Sequence, residues 1–129
     1  MTNLYSLLSA RFEPRLDSTF LRVPHGPSLT YRQVDERSAR MAGALQQRGV
    51  TVGDRVVVQV DKSTDNVALY LACLRVGAVY LPLNTAYTPS EVGFFVDDAA
   101  PALVVARPGT LDDLTVPVGH LGTEGNGSL

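Results

Sequence analysis

The chain has 129 residues, of which 45% are hydrophobic and 19% charged, with a formal net charge of -2. This is globular composition sized for one domain, which buries roughly two-thirds of its unfolded surface. The near-neutral charge excludes a strongly basic nucleic-acid binder and a polybasic membrane anchor. A single cysteine, Cys73, excludes an internal disulfide framework and a Cys-rich metal centre; His25 and His120 lie far apart, with no metal-ligand spacing.

In chain order, Met1 to Ala10 has no basic residue ahead of its short apolar run and does not read as a secretory leader. Asn3 is a candidate cap for a short helix with Leu4, Leu7 and Leu8 on one face. Thr19 to Val23 reads as a strand. The turn Pro24-His25-Gly26-Pro27 then leads into Ser28 to Thr30, so a small antiparallel hairpin is expected. Thr30 with Gln33 three residues on forms a capping box, and Val34, Met41 and Leu45 recur at helical spacing behind it. Arg32, Glu36, Arg40 and Gln47 fall on the wet side, and Gly49 suits a left-handed helix end.

From Gly53 the pattern alternates strand and helix. Arg55 to Val60 is apolar on both faces, as in a buried parallel strand. Ser63 or Thr64 caps a helix to about Val76, closed by Gly77, and Ala78 to Leu83 is the next strand. Thr88, Pro89 and Glu91 open another helix to about Asp98, and Ala102 to Ala106 is a third strand. The fold class expected is α/β, a βαβαβ unit with a parallel sheet and right-handed crossovers, preceded by a helix and a short hairpin. The apolar run Val67 to Leu83 is broken by Arg75, Gly77 and Pro82. It is too short for a bilayer span of about 20 residues, and the expected location is the cytoplasm.

The segment Thr64 to Val76 is apolar nearly all round, which suits the middle of a large core. This predicts that the domain is incomplete, or that the chain self-associates through an uncovered sheet face. From Thr115 onward Gly119, Gly122, Gly125 and Gly127 come without apolar pattern. Residues 115–129 are therefore expected to be a flexible Gly-rich connection, with the partial domain over 1–114.

No catalytic constellation stands in the sequence. The dinucleotide fingerprint, the phosphate loop and the nucleophile elbow are all absent. Asp97 with Asp98, and Asp112 with Asp113, read as solvated pairs, and Cys73 as a packed thiol. Lys62 follows a strand's carboxyl end, where ligands approach open α/β sheets, and Asn84, Thr85 and Tyr87 follow the next one. These four are the ligand-proximal candidates, with local backbone hydrogen bonding as the alternative role for Asn84 and Thr85.

The run Leu29-Thr30-Tyr31-Arg32-Gln33-Val34 resembles the first core motif of the adenylate-forming superfamily, which comprises acyl-CoA synthetases, luciferases and peptide-synthetase adenylation domains. Val52-Gly53-Asp54-Arg55-Val56 resembles that superfamily's strand entrance, and Leu74 through Asn84 its second core motif. Within the superfamily, Val58 to Ser63, Leu69 to Leu74 and Pro82 to Thr88, continuing over Phe94 to Ala99, are most similar to malonyl-CoA synthetases. The likeness covers about residues 28–106. It implies the N-terminal portion of a ligase using ATP, Mg and CoA on a small carboxylic acid, malonate by the closer likeness. The superfamily's phosphate-binding loop, aromatic-Thr-Glu motif, ribose-binding Asp and lysine-bearing lid are not in this sequence, so no catalytic residue carries over and the chain alone is expected to be inactive. A truncated, non-catalytic interaction module and a ligase for another acyl or aryl acid are the alternatives.

Overall fold

The computed structural model describes residues 4–21 and 28–122. Helix α1 spans Leu4–Phe12 and runs into a 3-10 turn at Glu13–Arg15. Strands β1 (Thr19–Leu21) and β2 (Leu29–Thr30) pair antiparallel, so the expected hairpin forms, although its turn lies outside the described residues. Asn3 also lies outside them. The buried face of α1 is not the leucine face: Tyr5 and Phe12 are buried, whereas Leu4 and Leu7 are exposed. Phe12 sits edge-on to Phe20 and Tyr31, and this aromatic packing chooses the face.

Helix α2 spans Tyr31–Gln47 and starts on the full capping box: Gln33 N donates to Thr30 Oγ1 at 3.2 Å, and Thr30 N to Gln33 Oε1 at 2.9 Å. Strand β3 (Arg55–Gln59) leads to α3 (Thr64–Val76), whose cap is Ser63 and whose end is Gly77 at φ +83°. Strand β4 (Val79–Pro82) and helix α4 (Pro89–Ala99) follow, the latter with its own Thr88–Glu91 capping box. Strand β5 is Leu103–Ala106 and β6 is Val118–His120.

The main sheet has the order β4-β3-β5-β6 and every pairing in it is parallel. The expected βαβαβ unit is present, with β3 inside it. One strand departs from expectation. Val118–His120 continues the sheet beside β5 and Leu121 is buried behind it, so the segment from Thr115, expected to be a flexible connection, is ordered as far as Gly122. The glycine-rich composition hides a strand of only three residues.

Alternating side chains of β3 and β5 separate two cores. Val56, Val58, Leu103 and Val105 face α2 and α3 and meet Leu45, Leu69, Ala72 and Cys73. Val57 and Val104 face the other way, onto Val92 and Val96 of α4 and the 111–118 segment. That second face is therefore covered by this chain over β3 and β5, which corrects the expectation of an uncovered sheet face there; at the β4 edge Val79 stays 43% exposed. The apolar outer side of α3 is covered too: Leu71 packs with Tyr5, Leu29 and Val34. A helix apolar nearly all round is thus covered by a sheet on one side and by α1 with α2 on the other, with Tyr70 left 41% exposed. The sequence pattern alone does not distinguish these covers from a larger core.

Burial fixes the chemistry of this core. Desolvation pushes the Cys73 thiol up to about 12, from 9.0, and raises the phenols of Tyr5 and Tyr80. The thiol ionises earlier in the unfolded chain, so its stabilisation is complete below pH 9 and is lost as the pH rises toward 12; the two raised phenols act in the same direction at alkaline pH. The thiol alone costs about 1.4 kcal/mol per pH unit in that window. Urea midpoints should be level around neutrality and fall steeply above pH 9. A Cys73→Ala chain should fall less steeply; equal slopes would show that the thiol takes no part.

Candidate functional site

In a parallel sheet every strand ends on the same edge, and here that edge gathers Lys62 after β3, Asn84 and Thr85 after β4, and Arg107 after β5. An open cleft of about 510 Å³ lies there, lined by Val58, Val60, Tyr80 and Leu83 with Lys62, Asn66, Asn84 and Thr85 around them. Three of the four ligand-proximal candidates, Lys62, Asn84 and Thr85, thus share one cleft. Tyr87 does not line it. Its ring stacks on Phe95 of α4 at 5.2 Å, on the opposite side of the sheet.

The loop over residues 84–87 is a tight turn held from within. Tyr87 N donates to Asn84 O at 3.1 Å, and Ala86 N to Asn84 Oδ1 at 2.8 Å. Asn84 therefore makes the local bonds expected of such a turn. The buried amide of Gln59 adds the main anchor, its Nε2 donating to Asn84 O at 3.0 Å and Tyr87 O at 3.1 Å. Gln59 is the residue that sequence reasoning misses. Its signal is a lone amide at the end of an apolar strand, a polar group that burial obliges to find partners. On the other wall of the cleft Tyr80 Oη donates to Asn66 Oδ1 at 2.9 Å, and the Tyr70 ring sits edge-on to Tyr80 at 5.2 Å.

The remaining candidates have structural roles or none. Asp97 and Asp98 are exposed on α4. Asp112 is not simply solvated: its Oδ1 meets His120 Nε2 at 3.0 Å. Cys73 is fully buried. Among the described residues no group of three or more His, Cys, Asp or Glu is placed to hold a metal ion, and no helix is long and apolar enough to cross a membrane.

A preorganised turn, the Lys62 cation and an apolar floor meet at this edge. The sequence pattern of the family described as AMP-binding enzyme matches residues 9–124, nearly the whole chain. The chain belongs to the AMP-binding enzyme family. The structure of apo MatB from Rhodopseudomonas palustris is similar to this family member at 38% identity and a TM-score of 0.84, over 98% of this chain and 27% of that one. The 3-hydroxybenzoate–CoA/4-hydroxybenzoate–CoA ligase of Thauera aromatica is 42% identical over 73 residues, which is 57% of this chain and 14% of that protein. Tyrocidine synthase 3 of Brevibacillus parabrevis is 32% identical over 80 residues, 62% of this chain and 1% of that protein. The chain thus spans only a minor part of each relative. As in the AMP-binding family, the resemblance read from the Leu29–Val34 and Leu74–Asn84 runs corresponds to real elements: a capped helix start, and a helix stop leading into a strand.

Proposed function

We propose that this chain is the N-terminal part of an ATP-dependent acyl-CoA ligase whose acid is malonate. In that reaction the carboxylate attacks the α-phosphorus of ATP, giving an acyl-adenylate and pyrophosphate. The CoA thiol then attacks the acyl carbon, and AMP leaves. The observation that carries the reading is the 38% identity to MatB, the malonyl-CoA synthetase, maintained over 98% of this chain. Mg²⁺ balances phosphate charge in such chemistry, commonly through one or two carboxylates. Among the described residues no group of three or more His, Cys, Asp or Glu is placed around one point, and no step is assigned to a metal held by this chain. Its part is a scaffold: a parallel sheet with covering helices and a rigid turn at the ligand-facing edge, where Lys62, Asn84 and Thr85 are the residues nearest an incoming molecule.

The purified chain, given malonate, ATP, Mg²⁺ and CoA, should release no pyrophosphate above the blank. Release that depends on malonate would overturn the scaffold reading. Reading the gene beyond the Leu129 codon is the companion measurement. A frame running on into a Ser/Thr/Gly-rich phosphate loop supports the ligase, whereas an immediate stop favours the interaction module. The similarity to the hydroxybenzoate ligase supports a second reading, an aryl-acid ligase. Preference for hydroxybenzoate over malonate in a protein that carries the later motifs would select it.

A further inference from the structure

Arg107 leaves β5 at the ligand-facing edge, and its side chain is only partly exposed. Its Nε is buried with no hydrogen-bond partner, the one such side-chain atom among the described residues. Its Nη2 reaches only the Thr85 carbonyl, at 3.4 Å, which is long for such a bond. The comparable partly buried arginines are compensated: Arg37 meets Asp65 at 3.1 Å and Arg75 meets Asp35 at 2.6 Å. Arg107 makes no ion pair among the described residues, and Asp112, five positions on, is turned to His120 instead. Nε and Nη2 carry their hydrogens along one edge of the guanidinium. Their spacing matches two oxygens of a carboxylate or phosphate. The unmet Nε, the long Nη2 bond, the unmatched charge and the position at the strands' carboxyl ends therefore describe one missing chemical group.

We propose that Arg107 is an oxyanion-binding residue, taking two oxygens of a carboxylate or phosphate group on Nε and Nη2 at the carboxyl end of β5. The incoming group displaces the weak Nη2 contact to Thr85 and, because Nε has no accessible surface, shifts the 84–87 turn to reach it, so binding is read on that turn as well. The proposal uses no residue of the ligase chemistry and stands or falls apart from that reading. The test follows the arginine Nε–Hε signals of the intact chain by NMR during separate titrations with inorganic phosphate and with acetate at constant ionic strength. Expected is a saturable shift of the Arg107 signal, larger than that of the exposed Arg55, which serves as the comparison. Whichever salt saturates identifies the source as a phosphate or a carboxylate. Arg107→Lys, which retains the charge but loses the paired donors, should weaken the affinity about tenfold, read on the Thr85 amide. The proposal is overturned by an Arg107 signal that neither salt moves, by equal shifts at every arginine, or by undiminished affinity in Arg107→Lys.

Discussion

A Leu69→Ala chain is expected to lose about 2–5 kcal/mol of stability, the largest effect of any single truncation considered. Leu69 is fully buried where α3 meets the sheet, in contact with the core that also contains Leu45, Val58 and Leu103. Alanine removes the transfer energy of the side chain and leaves a cavity that two rigid layers cannot collapse to fill. Against a total of about 5–15 kcal/mol for an ordinary domain, the loss is a large share. Leu7→Ala is the matched control. Leu7 is 58% exposed, so its truncation should cost no more than about 0.5 kcal/mol. Urea unfolding of both chains checks the contrast. Equal midpoints would mean that α3 is not the centre of the core.

The second large effect is expected at Asp35. Arg75 Nη2 meets its Oδ1 at 2.6 Å, and the Tyr5 hydroxyl donates to the same oxygen. Arg75 Nε donates to Ser38 Oγ at 3.0 Å, and the guanidinium lies 4.0 Å from the centre of the Tyr5 ring. One carboxylate thus ties α1, α2 and α3 together. Asp35→Ala takes the carboxylate away from the partly buried Arg75 cation and Tyr5 hydroxyl, leaving Arg75 the neutral Ser38 Oγ and the residue-35 carbonyl, at a cost of about 1–3 kcal/mol. Asp35→Asn retains an oxygen and should cost less. The loss should be local as well as global: amide exchange in α1 should rise before that in β3. If Asp35→Ala and Arg75→Met were strictly additive, the two side chains would not be coupled.

The parts of the fold legible in the sequence are those set by local chemistry. Thr30 with Gln33, Thr88 with Glu91, and Gly77 each specify a helix boundary through a bond or a dihedral that the residues themselves carry. The β3 and β5 strands are legible because buried parallel strands are apolar on both sides, and β4, a half-exposed edge strand, because it follows directly on the Gly77 helix stop. What escapes is set by distant partners. The face of α1 is chosen by Phe20 and Tyr31, far along the chain. Strand β6 is ordered by pairing with β5, not by its own composition. At the edge, strand ends point to Lys62, Asn84 and Thr85, but the anchoring by Gln59 depends on three-dimensional reach and leaves no periodic trace. Tyr87 falls outside the cleft because its ring is taken up by Phe95 of α4, a partner that strand ends do not reveal.

The strand order has a consequence for how the molecule is made. Strand β3 is the first of the four to leave the ribosome, and it lies inside the sheet. β4 then adds to one flank, β5 to the other, and β6 outside β5. Each arriving strand finds its neighbour already synthesised and never has to wait for one still to come. Parallel pairing joins distant segments and is slow to find from a fully denatured chain. Emergence at about 5–20 residues per second presents the strands one at a time, in the sequence that widens the sheet outward from its middle. A nascent chain interrupted after β4 or β5 is then a narrower sheet of the same register, with no strand inserted between others afterwards.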